Sequence, residues 1–169
     1  KQLVATLPQV KGVSYLSDNF PFANSTMSNG ITHKGKNIGN INTYRVEDNY
    51  ALLLKIPLLE GRWFNTTDIS FKSRPVVITE SLRKELYGDG KVLGEYMGDG
   101  KEEDRRKVIG VVADAKLKGD YSDPGFGMFN RIDTGDYHWN EHMLVKVAAG
   151  ADAAFEAKLY KTLANAMKD

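Results

Sequence analysis

The apolar residues of this chain come in short blocks, and none can form a long helix or cross a bilayer. Ala51 to Leu54, Pro75 to Ile78 and Val108 to Val112 are each closed by a charged residue, a glycine or a capping residue within a few positions. A membrane span needs about 18 consecutive apolar residues. Blocks of this length punctuated by Gly, Pro and Asn read instead as buried strands and short helices. With 169 residues, 41% of them hydrophobic and 27% charged, the chain can bury a core of ordinary size, and we expect one domain.

Charge excludes more than it suggests. Lys and Arg total 23 against 22 for Asp and Glu, a net +1, so no nucleic-acid or anionic-membrane footprint is expected. Cysteine is absent. That removes disulfides, thiolate nucleophiles and cysteine-based metal sites, and is compatible with an oxidising compartment. The chain opens Lys1-Gln2-Leu3 without an initiator methionine or an apolar leader, and we read it as a piece of a longer polypeptide.

Along the chain, the spacing of Leu3, Val4, Leu7 and Val10 predicts a helix ending near Pro8 and Gly12, followed by a strand at Val13–Leu16. Residues 19–30 read as loop, and Ile31 to Val46 as a β-hairpin turning within Lys34 to Gly39. Asp48 can cap a short helix carrying Tyr50, Leu53 and Leu54, which Pro57 then stops. In the stretch IPLLEGRWF (56–64), Leu58 and Leu59 are expected as buried extended chain, Gly61 as a turn, Arg62 as packing or pairing locally, and Trp63 and Phe64 as apolar anchors. Further strands are expected at 75–78, 92–97, 107–112, 128–132 and 143–147. A helix capped by Thr79 should carry Leu82 and Leu86 to Gly88. The last helix, 152–168, shows a stripe of Phe155, Leu159, Leu163 and Ala166.

Reactive groups do not converge. His138-Trp139-Asn140-Glu141-His142 fits the H-x-x-E-H pattern of inverted zinc metallopeptidases, which needs both imidazoles on one continuous helix and a third ligand downstream. Here the motif runs straight into the β-like Met143 to Val147, with Glu156 as the one glutamate beyond it. Gly88 to Gly94 misses the dinucleotide spacing, and Gly100-Lys101 lacks the Ser or Thr of a P-loop. Lys101 to Arg106 is a mixed charge run, and Asp114, Asp120 and Asp123 lack the alternation of a calcium loop. No G-x-S-x-G elbow occurs. Asn24 and Asn65 begin glycosylation sequons. We therefore expect no catalytic residue, no metal ligand and no cofactor. Zinc hydrolysis through His138, Glu141 and His142, and a free-standing ligand-binding sensor, stand as alternatives.

The order of the blocks carries a resemblance. Tyr44-Arg45-Val46 with Asp48-Asn49-Tyr50, then Ile56 to Phe64 with Asp68, then Val76 to Leu82, Leu86-Tyr87-Gly88 and Val92 to Met97, and then Lys107 to Asp114, follow one another as in the MacB-like periplasmic core domain of ABC-transporter permeases. Leu7-Pro8-Gln9-Val10 is similar to that family's opening, whereas residues 116–142 match nothing in it. The resemblance implies an α+β fold with mixed α/β architecture in two lobes. A porter-like lobe would draw on both chain ends (1–64 with 133–169), beside a β-rich central lobe (65–132). It also implies an extracytoplasmic domain between the first two transmembrane helices of an FtsX-type permease at the bacterial inner membrane. Its expected partners are those helices, a cytoplasmic ATPase acting indirectly, a periplasmic protein or cargo and a second permease, with efflux or another transport as the setting and no enzymatic activity of its own. On that reading the two chain ends emerge together at one pole.

Overall fold

The computed structural model describes residues 1–21, 23, 26–70, 74–101, 104–115, 124–132 and 142–166. Its elements run α1 (Gln2–Ala5), β1 (Val10–Asp18), β2 (Ser28–His33), β3 (Lys36–Val46), α2 (Tyr50–Leu54), β4 (Leu58–Gly61), a 3₁₀ turn (Thr66–Ser70), β5 (Arg74–Thr79), α3 (Glu80–Tyr87), β6 (Tyr96–Met97), β7 (Arg106–Val112), β8 (Phe126–Arg131), β9 (His142–Val147) and α4 (Ala153–Ala166).

Among the described residues the strands form one mixed sheet in the order β4-β7-β5-β8-β3-β1-β9, with β2 on β3 and β6 on β7. The pairs β3–β8 and β5–β7 are parallel and the others antiparallel. Residues alternate between the sheet's two faces, so each face carries its own core. Val76, Ile78 and Met128 point to one, beneath Leu82 of α3 and Ile38 and Ile41 of the long hairpin. Val77 and Phe129 point to the other, where Tyr44, Tyr50 and Phe64 cover them. The fold is therefore α+β. The strands of segments 1–64 and 142–147 and those of 65–132 share this sheet through the β3–β8 pairing, with β4 seated on the far edge beside β7.

The β2–β3 turn is Lys34-Gly35, both with positive φ (51° and 76°), the two-residue geometry that matches strand twist. Asp99 holds it from outside, accepting hydrogen bonds from the amides of Lys34 (2.7 Å) and Gly35 (2.8 Å). These two bonds keep the Asp99 carboxyl below the usual range. The helix α2 ends at Lys55, which adopts the left-handed conformation (φ 56°) two residues before Pro57. Leu53 of α2 packs on Gly12, where a Cβ would lie 2.3 Å from Leu53 Cδ2.

Several local expectations change. Leu58 and Leu59 are extended, as expected, but stand 46% and 48% exposed among the described residues, because β4 is an edge strand of the sheet they form. The first helix stops at Ala5, and Val10 already belongs to β1. Thr79 makes no side-chain cap to α3. Its hydroxyl instead accepts from the Gly127 amide at 2.9 Å, and the Ser81 amide donates to Asp114 Oδ1 at 3.0 Å. Asp48 does not cap α2; it pairs with Arg131. Of 92–97 only Tyr96 and Met97 are strand, and β2 begins inside the expected loop, at Ser28.

Candidate functional site

The residues IPLLEGRWF serve as a structural joint. Gly61 and Gly110 face each other across β4 and β7. A Cβ on Gly61 would meet the Ile109 carbonyl oxygen at 2.3 Å, and one on Gly110 would meet that of Arg62 at 2.3 Å. Two glycines thus allow two backbones to approach more closely than any side chain permits. Arg62 then reaches Asp68 with both terminal nitrogens (Nη1–Oδ2 2.8 Å, Nη2–Oδ1 2.6 Å), and the Asn65 amide donates to Asp68 Oδ2 at 2.9 Å. The Arg62 hydrogen bonds, helped by the Asn65 amide, hold the Asp68 carboxyl below the usual carboxylate range against the opposing effect of burial. Trp63 packs edge-on to Phe64 (4.9 Å between centroids) and Phe129 (5.4 Å), closing the second core.

Asp68→Ala is expected to lose about 2 kcal/mol of folding stability, because it removes charge-assisted bonds whose acceptor is buried. The native pKa lies below that of the unfolded chain, so this contribution is present above about pH 4 and fades as pH falls towards the native value. Urea melts of both proteins at pH 7 and pH 3 should show the gap narrowing at the lower pH.

A second joint lies at the end of β3. Glu47, 9% exposed, takes an ion pair from Lys1 beside α1 and a 2.7 Å hydrogen bond from the Tyr15 amide of β1. Asp48 is gripped side-on by Arg131 of β8 (Nε–Oδ1 2.7 Å, Nη2–Oδ2 2.9 Å). Asn49 donates to the Val13 carbonyl at 2.8 Å, while its own Oδ1 is buried without a partner. These three consecutive residues and Ile132 line a polar cavity of about 180 Å³. The corner therefore ties α1, β1, β3 and β8 together. The helix α1 also lies against α4, so helices from the two ends of the described chain are neighbours. Sequence reading flagged Asp48 and Asn49 and passed over Glu47, since an acid after a strand shows no sign of burial.

The remaining histidine chemistry is sparse. His138 and Glu141 lie outside the described residues. His142 opens β9 opposite Leu16 and packs its ring 4.0 Å from that of Phe20. As a strand residue it cannot continue the helix that a paired-imidazole zinc site requires. His33 is buried; its Nδ1 accepts from the Gly98 amide at 3.4 Å and its ring lies against Tyr87. Burial, then the nearby Lys34 charge, pushes its pKa down against weaker opposition from Asp99 and Glu95. Among the described residues no group of three His, Asp or Glu side chains is placed to hold a metal. No described helix is long and apolar enough to cross a membrane. Asn65 uses its side chain locally, accepting from the Thr67 amide (2.9 Å) and hydroxyl (2.6 Å).

Comparison with known proteins gives the same outline. The chain is 33% identical over 95 residues to the macrolide export ATP-binding/permease protein MacB 1/2 of Paracoccus denitrificans, covering 56% of this chain and 13% of that protein. It is 29% identical over 124 residues to the uncharacterized ABC transporter permease YvrN of Bacillus subtilis, covering 69% of this chain and 27% of that one. The chain thus spans a small part of either relative's length. In structure it resembles the periplasmic region of MacB from Actinobacillus actinomycetemcomitans (TM-score 0.67, 18% identity, 97% of this chain and 71% of the other). It also resembles the extracellular domain of the ABC-type transporter YknZ from Gram-positive bacteria (TM-score 0.62, 16% identity, 94% and 73%). A sequence profile of one family matches residues 1–161, and this chain belongs to it: the MacB-like periplasmic core domain.

Proposed function

We propose that this domain is the extracytoplasmic part of an ABC-transporter permease and works as a passive lever. It would relay a shape change driven by cytoplasmic ATP hydrolysis to a periplasmic partner or cargo. The observation that carries the reading is the pairing of α1 with α4, with Lys1 of the N-terminal segment strapped through Glu47 to the β1 backbone. Two chain ends held together and bonded into a continuous sheet pass a displacement to that sheet with little loss, because packed interiors have low compressibility. The parent permease would stand in the bacterial inner membrane, its transmembrane helices extending from this pole. A second permease copy would stand beside it, and the segments 1–64 with 133–169 and 65–132 would be its two lobes, moving as one through the shared sheet.

A cysteine pair, one within Gln2–Ala5 and one within Ala153–Ala166, is introduced into the intact permease after replacement of any cysteine outside this chain, which itself has none. Because the two helices already lie together, oxidation is expected to leave both ATP hydrolysis and transport in membrane vesicles at the unlocked rate. Glu47→Ala, which cuts the strap to Lys1 and Tyr15, should instead leave ATP hydrolysis running and lower transport. Loss of transport on forming the cross-link, or transport at the wild-type rate in a folded Glu47→Ala permease, would reject the lever.

A further inference from the structure

Arg74 and Arg106 begin the parallel neighbours β5 and β7 and sit in direct register. Two residues further on, Val76 and Val108 are also in register, and both belong to the core beneath α3. Alternation therefore puts the two arginine side chains on that same face, at the open end of its core, next to the buried Met97 that pairs with Arg106. Neighbouring strands lie about 4.8 Å apart, and like charges placed opposite each other at that spacing destabilise a sheet.

The usual remedies are missing. Among the described residues neither arginine makes an ion pair, although Asp104 lies near enough to attract Arg106 without bonding to it. The Nε–H of Arg106 is shut off from solvent and has no hydrogen-bond partner. That sealed donor is a cost to the fold and not a contact point; the Nη groups of Arg106, bonded to no described residue and not sealed, are the donors left open to a ligand. Burial, then the neighbouring Arg74 charge, holds the Arg106 guanidinium below its ordinary basicity. Lys107 alternates to the opposite face, in register with Pro75, so it adds no third positive charge to the pair.

We infer that Arg74 and Arg106 form a binding site for an oxyanion group of up to two negative charges, presented as a phosphate or as a pair of carboxylates. The outer edge of Arg106, its two Nη groups, makes the fork that meets two oxygens of such a group, and Arg74 neutralises the remaining charge from the adjoining strand. The site does not depend on how the domain moves.

Titration of the ¹⁵N-labelled chain with sodium phosphate, and separately with sodium succinate, against chloride at matched ionic strength tests this. One of the two anions is expected to shift the amides of Arg74, Met97 and Arg106 saturably below about 10 mM. The anion that does so identifies the source of the oxygens. Arg106→Gln should weaken that binding at least tenfold, and Arg74→Gln, at an exposed position, should weaken it with the fold untouched. Arg106→Lys, which keeps the charge and loses the fork, should fall between wild type and Arg106→Gln. Failure of both anions to saturate, or equal affinity in wild type and the glutamine variants, would overturn the site.

Discussion

Phe129→Ala is expected to destabilise the domain by about 4 kcal/mol, near the upper end for removal of a buried aromatic ring. Phe129 is 1% exposed, in β8, the middle of the seven strands that define the sheet's order. Its ring stacks on Tyr44 (4.9 Å, 20° between planes) and meets Trp63 at 5.4 Å and Tyr50 at 6.3 Å. The same truncation would therefore strip contacts from strand, joint and helix together, and the three flat neighbours cannot collapse into one hole. Chemical denaturation of the variant should show the loss as a lower midpoint at an unchanged slope. Leu52→Ala serves as the control. Leu52 is 79% exposed on α2, and its removal should move the midpoint little. A Phe129→Ala loss below about 1 kcal/mol would mean that the second core is not assembled as described.

Gly110→Ala, the addition of one methyl group, is expected to cost about 3 kcal/mol or more, the high end for overpacking. The reason is what the methyl meets. The new Cβ would lie 2.3 Å from the Arg62 carbonyl oxygen and 3.1 Å from its carbon, and both are backbone atoms that cannot rotate away. To accommodate it, β4 must separate from β7 and carry the Arg62–Asp68 pair and Trp63 with it. Gly39→Ala makes the comparison: no atom lies within 4 Å of a Cβ there. Thermal melts should show a large drop for Gly110→Ala and almost none for Gly39→Ala. Near-ultraviolet circular dichroism should lose its Trp63 signal in the first variant alone. Equal melting temperatures would show that β4 does not press on β7.

How much of this was readable beforehand follows from which interactions are local. Strand β5 and helix α3 were visible because Val76-Val77-Ile78 and the Leu82/Leu86 spacing each reflect a neighbouring periodicity. The local pairing of Arg62 was also legible, since Asp68 follows within one short turn. Leu58 and Leu59 were misjudged because hydrophobicity reports a preference for burial and says nothing of whether the strand order leaves a neighbour. Thr79 holds the N-cap position of α3, but it makes no side-chain cap because its hydroxyl is claimed by Gly127, a residue 48 positions away. Glu47, with its partners Lys1 and Tyr15 drawn from two earlier elements, carried no local sign at all.

By itself, then, the order of short apolar blocks and turn residues carried the resemblance to the family, which implied the α+β class, and local periodicity placed most elements, since backbone geometry answers to residues close along the chain. Only the tertiary structure decided the strand order, the two-faced core, the glycine contact of β4 with β7, the Glu47 corner and the unpartnered arginines of β5 and β7. Each of these depends on side chains far apart in sequence meeting in space, and the energy of such a meeting is written in neither residue alone.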